Sequence, residues 1–262
     1  MPRAEPRPTY AEYEPPAALR PFVQCFWTRL VPPATSCVQA HRVLPDGCVD
    51  LILTTGGEWS PADPTPGKEH ADGALFVGAM TTALKFRSEP GTAFVGVRCR
   101  PGAARALFGV PAAELTDRRV AMDDLWRSPD APSDGSDDPM RALTRLLTRR
   151  FAGVSPPPAD VWAAVHRIRR SRGRIRIDAL CADLGVTRQH LARRFAEHVG
   201  LPPKTFARVE RIRHVIRLAH APPAPAWSRI AQEAGYADQS HLVGEFGELV
   251  GLSPARWWAE GR

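Results

Sequence analysis

The sequence lacks the features that would tie it to a membrane or to secretion. Its 262 residues contain no apolar run long enough to span a bilayer, and the amino terminus has neither an apolar stretch nor a small-residue cleavage pattern. A transmembrane helix and a secretory signal are therefore not expected. We predict a cytoplasmic protein with no membrane partner.

The cysteines are few and irregularly spaced. Their number is odd and none forms a CxxC pair, so neither a disulfide framework nor a zinc-finger site is predicted. We expect mainly buried, reduced thiols. A thiol-based sensor stays open as an alternative, because a reactive thiol needs a nearby positive charge that the sequence does not locate. The five residues are Cys25, Cys37, Cys48, Cys99 and Cys181.

Motifs for catalysis are also missing. The sequence has no GxSxG, HExxH, P-loop or GxGxxG unit. A metal-dependent enzyme needs several converging histidines and carboxylates, but residues 1–155 contain His41 and His70 as their only histidines. We predict a protein that is not an enzyme and needs neither a cofactor nor a metal. A β-barrel enzyme fused to a DNA-binding domain remains an alternative.

The positive charge lies in one part of the chain. The formal net charge is +7, yet residues 1–155 hold 18 Lys and Arg against 18 Asp and Glu, which leaves 17 against 10 in residues 156–262. The whole excess therefore belongs to the C-terminal segment, as binding to nucleic-acid phosphates would require.

The N-terminal segment is rich in short β-favouring runs. Pro, Gly and Asp clusters separate the runs FVQCFWTRLV, CVDLILTT, ALFVGAM and TAFVGVRC, which is typical of an antiparallel sandwich or small barrel. We predict a flexible lead-in over residues 1–16, a β-rich domain over 17–127, and a short helix over 103–108 within that domain.

A linker that contains one helix is predicted over residues 128–158. Its first part, 128–139, is acidic and poor in apolar side chains, which is typical of an exposed, mobile segment. Apolar residues then recur at helical spacing from Met140 to Phe151. This helix either packs against the first domain or serves dimerisation.

The remaining segment, residues 159–262, is predicted to be helical and to contain a helix-turn-helix unit. An apolar helix ends at Gly185, Thr187 follows as an N-cap, and Leu191 and Phe195 mark the buried face of the next helix. Helix, tight turn and second helix form the layout of a DNA-binding helix-turn-helix.

A second unit repeats this arrangement further along the chain. Alignment of Gly185 with Gly235 sets Leu242 and Phe246 at the positions of the two buried residues of the first unit, with one extra residue in the turn. Both units continue into a Gly-Leu-x-Pro sequence, GLPPKTF and GLSPARW. An apolar stripe between the units predicts one connecting helix over residues 204–220.

The C-terminal segments LGVTRQHLARRFAEHVGLPPKTF, IAQEAGYADQSHLVGEF and GLSPARWW resemble the AraC family of bacterial regulators over about residues 160–260. The N-terminal LPDGCVDLIL and VGVRCRPGAARALFGVPAAELTDRRV resemble an uncharacterised domain found fused to AraC-type DNA-binding regions. The resemblance implies a sequence-specific, DNA-binding transcription regulator on the nucleoid, whose N-terminal domain senses a ligand or makes protein contacts. The expected fold is α+β, with a β-rich sandwich- or barrel-like domain before an all-α double helix-turn-helix domain.

The second helix of each unit is expected to enter the major groove. The resemblance puts Gln189, Ala192 and Arg193 at base-facing positions, and glutamine and arginine suit adenine and guanine. A phosphate contact by Arg193 is the alternative. Gly244 stands where family members commonly carry a basic residue, so we expect the second unit to contact DNA less strongly. The predicted DNA-binding residues are Thr187, Arg188, Gln189, Ala192, Arg193, Gln239, Ser240, His241 and Val243.

Six polar or aromatic residues on or beside the predicted strands are candidates for binding a ligand. Each also has a structural interpretation, such as a core residue, a turn or a surface ion pair. The candidates are Trp27, His41, Asp46, Asp50, Arg98 and Arg100.

The expected partners are double-stranded promoter DNA, RNA polymerase, a small-molecule effector and a second copy of the chain. A DNA-repair-linked or architectural DNA-binding protein is the alternative, although the methyl-transfer proteins that share these helices use clustered cysteines. The cysteines of this chain are not clustered in sequence.

Overall fold

The computed structural model describes residues 9–34, 38–61, 73–126, 138–221 and 224–260. The strands of these segments are β1 (Thr9–Tyr13), β2 (Val23–Leu30), β3 (Gln39–Val43), β4 (Val49–Gly56), β5 (Trp59–Pro61), β6 (Ala74–Val77), β7 (Leu84–Ser88), β8 (Ala93–Cys99) and β9 (Arg119–Ala121). The helices are α1 (Ala104–Phe108), α2 (Met122–Leu125), α3 (Pro139–Arg150), α4 (Ala159–Arg170), α5 (Ile177–Leu184), α6 (Arg188–His198), α7 (Pro203–His220), α8 (Trp227–Glu233), α9 (Gln239–Val250) and α10 (Pro254–Glu260).

The N-terminal strands form two antiparallel sheets. The larger has the order β1-β2-β8-β4-β6-β9 and the smaller has the order β3-β7-β5. Both β2 and β4 pair with β8, so the middle of the larger sheet is built from the most apolar runs of the chain. The α+β class expected from the sequence is confirmed, with helices throughout the C-terminal part.

Alternation along the strands gives the larger sheet two different faces. Leu51 and Leu53 of β4 belong to the main core, which continues through the helices that follow the sheet and into the C-terminal helices. Trp27 and Phe94, from β2 and β8, instead cluster with Phe86 of the smaller sheet. The space between the two sheets is therefore lined by aromatic rings.

Trp27 lies flat on the larger sheet because Gly96 has no side chain. A Cβ at Gly96 would overlap the indole ring. Replacement of Gly96 by alanine must therefore displace the ring or the strand. We expect Gly96→Ala to lower the free energy of unfolding by about 1–3 kcal/mol in urea denaturation. Gly244→Ala is the matched control. It has open space around the new methyl group and lies within a helix, so it should be neutral or stabilise by up to about 1 kcal/mol. An unchanged urea midpoint in Gly96→Ala would contradict the close approach.

The expectation of a flexible lead-in over residues 1–16 was wrong for residues 9–13. These residues form β1, which pairs along its whole length with β2, from Thr9 opposite Leu30 to Tyr13 opposite Phe26. Its side chains are all exposed, so backbone hydrogen bonds hold the strand and the sequence carries no apolar alternation that would reveal it. The rest of the lead-in before residue 9 lies outside the described residues.

The predicted helix of the linker is α3. Leu143, Leu146 and Leu147 are buried within this chain, and Phe151 stacks on Phe22 at 4.3 Å between ring centroids. The apolar face is thus covered by the N-terminal domain, as the packing interpretation requires. Most of the acidic segment predicted to be mobile over residues 128–139 lies outside the described residues, which resume at residue 138.

In the C-terminal part, α7 connects the two helix-turn-helix units as expected, with Phe206, Val209 and Ile212 buried. In the described segments, no helix is long and apolar enough to cross a membrane.

Candidate DNA-binding surface and ligand cavity

The first helix-turn-helix unit consists of α5, a tight turn and α6. Gly185 ends α5 in the left-handed conformation with φ of 65°, which glycine adopts without strain. The Thr187 hydroxyl then accepts a hydrogen bond from the His190 amide at 3.1 Å and caps α6. Leu191 and Phe195 are fully buried, so the opposite face of α6 points to solvent. That face carries the predicted Thr187, Arg188, Gln189, Ala192 and Arg193, all of them exposed.

The two exposed arginines of α6 have different surroundings. The Arg188 guanidinium is bonded to the Asp178 carboxylate of α5. Arg193 lies 3.5 Å from the ring of His190, and in the described part of the chain no carboxylate is within ion-pair distance of it. Its guanidinium is therefore available for a partner outside the chain.

Asp160 fixes α6 against α4. Its carboxylate accepts hydrogen bonds from His190 at 3.1 Å and from Arg194 at 3.2 Å. Burial alone would raise the pKa of Asp160, but these hydrogen bonds hold it below its usual value. Neither Asp160 nor His190 was among the site residues predicted from the sequence.

The second unit consists of α8, a turn at Gly235 and α9. The Asp238 carboxylate accepts a hydrogen bond from the His241 amide at 2.8 Å and caps α9. Leu242 and Phe246 are buried at the positions that match Leu191 and Phe195. The predicted contact residues Gln239, Ser240, His241 and Val243 are all exposed on the opposite face.

A buried carboxylate holds α9 on α7. Glu245 accepts hydrogen bonds from Arg211 at 2.7 Å, from Arg208 at 2.9 Å and from the Tyr236 hydroxyl at 2.7 Å. The Arg211 guanidinium also stacks over the Tyr236 ring at 4.4 Å. Burial would raise the pKa of Glu245, but the bonds from Arg211 and Tyr236 outweigh it and lower the pKa.

A cavity of about 420 Å³ lies between the two sheets of the N-terminal domain. That volume is in the range of small-molecule sites. Its apolar lining includes Trp27, Ile52, Trp59, Phe86 and Phe94. Its charged lining consists of Arg29, Arg42, Arg98, Arg119, Glu12, Asp46 and Asp50.

One end of the cavity holds an ion-pair cluster. Arg98 lies 3.3 Å from Asp46 and 3.3 Å from Asp50, and the Trp27 indole donates a hydrogen bond to Asp50 at 3.0 Å. Burial raises the pKa of Asp50 to about 6 despite the arginine. Both carboxylates are engaged by groups of the chain itself.

Two domain families match the chain. Residues 180–260 match a helix-turn-helix domain, and residues 11–121 match a domain of unknown function, DUF6597. The helix-turn-helix match is of the AraC type and covers both units. The chain therefore carries an AraC-type helix-turn-helix domain after a DUF6597 domain, and it is a DNA-binding transcription regulator.

The solved structures that the chain matches include other regulators. The apo K231A form of ToxT from Vibrio cholerae is 12% identical, with 96% of each chain covered and a TM-score of 0.47. The xylose-binding transcription activator XylR is 19% identical over 47% of this chain and 38% of its own, with a TM-score of 0.35. No protein with curated annotation matches by sequence. The assignment rests on the helix-turn-helix match and not on these structures.

The structure brings most of the predicted ligand-binding residues of the regulator together. Trp27, Asp46, Asp50 and Arg98 line the cavity, and His41 lies beside it in β3. Arg100 does not join them. It follows the end of β8, and its guanidinium donates to the Arg20 carbonyl at 2.8 Å.

The domain that encloses the cavity contacts the ends of both α6 and α9. At the end of α6, Arg105 pairs with Glu197 at 3.2 Å and the Thr116 hydroxyl donates to the Gly200 carbonyl at 2.5 Å. Next to these contacts, one continuous hydrophobic core joins the N-terminal and C-terminal parts of the chain. The N-terminal domain and the DNA-binding domain of the regulator are thus packed together.

The end of α9 is capped from the N-terminal domain. The Ala83 amide donates to the Leu249 carbonyl at 2.8 Å, and Arg42 donates to the Val250 carbonyl at 2.8 Å. Arg42 also faces Glu260 of α10 at 3.6 Å. The last carbonyls of a helix have no partner within it, so these donors supply bonds that α9 lacks. Because Arg42 also lines the cavity, one side chain links the cavity to the second unit.

Four of the five cysteines lie in the described segments and are free and buried. Burial raises the pKa of the Cys25 thiol to about 11 and also raises the pKa values of Cys48, Cys99 and Cys181. Such thiols carry little thiolate at neutral pH and react slowly. Cys37 lies outside the described residues.

Proposed function

We propose that this regulator binds promoter DNA through α6 and α9 and changes that binding when a small molecule occupies the cavity between its sheets. The supporting observation is the placement of the domain contacts. Donors of the cavity-bearing domain reach the C-terminal ends of both recognition helices, and Arg42 belongs to the cavity lining and to the α9 contact at once. A conformational change at the cavity can therefore reach both helices through these few contacts.

The two recognition helices are proposed to have unequal roles. Gln189 and Arg193 read bases, Ala192 allows close approach of the helix to the groove, and Thr187 and Arg188 contact phosphates. In the second unit α9 contains no lysine or arginine and carries Glu245 and Glu248. Its Gln239, Ser240, His241 and Val243 therefore contribute mainly to positioning.

We assign the cavity a binding role rather than a catalytic one. Asp46 and Asp50 are held by Arg98 and Trp27 and offer no free base. Within the described segments there is no group of three His, Cys, Asp or Glu residues that could hold a metal ion. Besides DNA and the effector, the proposed partners are RNA polymerase and a second copy of the chain on the nucleoid.

Salt dependence of DNA binding tests the proposal in the full chain. A protein that neutralises about six phosphates loses roughly 10³-fold in affinity between 50 and 200 mM salt. We expect such a loss for the sequence selected by the regulator from random duplexes, measured by fluorescence anisotropy. Failure to select any sequence, or equal affinity at both salt concentrations, would overturn the DNA-binding assignment.

A pair of charge variants locates the contact surface. Arg188→Gln should reduce the salt slope by about one, because it removes one phosphate contact. Arg141→Gln removes an equally charged, exposed side chain on α3 and should leave the slope unchanged. Equal slopes in the two variants would place the DNA elsewhere.

A further inference from the structure

The cavity wall contains an arginine that lacks an ionic partner. Arg29 is partly buried, its Nε is buried without a hydrogen-bond partner, and the described residues place no carboxylate within ion-pair distance of it. Its guanidinium is bonded to the ring of His41. A buried charge is costly unless it is paired, and the described residues supply no counter-charge for this arginine.

His41 does not supply the missing negative charge. Burial and the adjacent Arg29 lower the pKa of His41 to about 4, so the imidazole is neutral near pH 7 and accepts from the guanidinium. The pair therefore carries one net positive charge. Burial also lowers the pKa of Arg29, which is the expected response to a missing counter-charge.

Most of the other charged groups of the cavity have a partner within the chain. Arg98 is shared by Asp46 and Asp50, and Arg42 is directed to Val250 and Glu260. Glu12 accepts a hydrogen bond from Tyr10 at 2.7 Å. Arg119 also lines the cavity, and burial alone lowers its pKa. Arg29 and Arg119 are thus two cationic side chains of the cavity wall that have no ion pair among the described residues, so what the cavity lacks is an anion.

Aromatic rings lie directly beside Arg29. The guanidinium is 5.8 Å from the centre of the Phe86 ring, and Phe86 contacts Phe94 and Trp59 edge to face at about 6 Å. A ligand that reaches Arg29 from the cavity would lay its remaining atoms against these rings. Burial of that apolar surface would provide affinity, and the arginine would provide selectivity.

We propose that the cavity takes a small organic anion, whose acidic group pairs with Arg29 and His41 and whose apolar or aromatic body packs on Phe86, Phe94 and Trp59. The inference rests on the proposed function, since it names the chemistry of the effector at the same site. It does not depend on which DNA sequence is bound.

Three probes with one body and different head groups test the assignment. We would titrate the full chain with 4-phenylbutyrate, 4-phenylbutan-1-ol and 4-phenylbutylamine, which are negative, neutral and positive at pH 7, by isothermal titration calorimetry. A charge-assisted hydrogen bond favours the acid, so it should bind at least about tenfold more tightly than the alcohol. The amine should bind most weakly of the three.

Variants assign the preference to one side chain. Arg29→Met keeps the apolar bulk, and it should remove the tenfold preference while the alcohol still binds within about twofold of the wild-type affinity. Arg29→Lys keeps the charge and should retain part of the preference, which also shows that the fold survives a change at this position. Arg87→Met, on the exposed outer face of β7, is the control and should bind like the wild type.

The outcomes separate this inference from the proposed function. Equal affinities of acid and alcohol, or a preference that survives in Arg29→Met, would overturn the anion assignment and leave the cavity as a ligand site. Binding of none of the probes would overturn both the anion site and the sensory role of the cavity. DNA selection by the same preparations reports on the regulator assignment in either case.

Discussion

Replacement of Arg193 by alanine should relax the base preference of the regulator at one position of its site. The guanidinium is exposed in the middle of α6, and in the described segments no carboxylate lies within ion-pair distance of it. If it forms two hydrogen bonds to one guanine, its loss should cost about 1–3 kcal/mol at that base pair. Selection of sites from random DNA with the wild type and the variant measures this change directly.

Arg188→Ala is the matched control on the same helix. Arg188 is already bonded to Asp178 and lies at the edge of the exposed face, where we propose a phosphate contact. Its loss should weaken all sequences by a similar factor and leave the selected motif unchanged. A motif that is sharp only under α9, and unaffected by Arg193→Ala, would reverse the proposed roles of the two helices.

The helix-turn-helix units were predictable from the sequence because their signals are local. Gly185 and Thr187 determine a turn and a cap within three residues, and Leu191 and Phe195 recur at the helical period. The same logic found β2, β4, β6 and β8, whose apolar side chains face a core. Elements with weak local patterns were missed. Sequences such as QAHRV in β3 and LKFRS in β7 mix polar and apolar residues, because the smaller sheet is only partly covered.

The candidate ligand site was predictable in part, for a related reason. Position on or beside the predicted strands was enough to suggest Trp27, Asp50 and Arg98, which share one face of the larger sheet. It was misleading for Arg100, which lies one residue beyond the end of β8. Arg29 was missed because a single arginine near a strand end usually faces solvent. Its burial depends on the smaller sheet, whose strands are separated from β2 by a turn and by residues that are distant in sequence.

Glu245 was missed for the opposite reason, since a glutamate on a helix is normally exposed. Here its side chain is 6% exposed and is bonded to two arginines that lie 34 and 37 positions earlier in α7. No local pattern reports such a contact. The arrangement has an energetic consequence, because removal of this buried carboxylate leaves Arg211 without an ionic partner and Tyr236 without its hydrogen-bond acceptor, while Arg208 keeps Glu248.

Glu245→Ala should therefore destabilise the second helix-turn-helix unit by about 3 kcal/mol, the cost of breaking a buried ion pair. We expect this loss as faster amide hydrogen exchange across α9 and as a lower urea midpoint. Glu248→Gln is the matched control. It removes another partner of Arg208, but Glu248 is 67% exposed, so the cost should be within about 1 kcal/mol.

The double variant Arg211→Met with Glu245→Leu separates the loss of a bond from the burial of an unpaired charge. If the cost of Glu245→Ala comes mainly from leaving Arg211 buried without a counter-charge, replacing both partners by apolar residues should cost less than either single change. Exchange rates across α9 should then return toward those of the wild type. Two results would contradict this account: free-energy costs of the two single changes that simply add in the double variant, or a Glu248→Gln effect as large as that of Glu245→Ala. Either result would mean that burial of Leu242 and Phe246 holds α9 in place and that the Glu245 network contributes little to its stability.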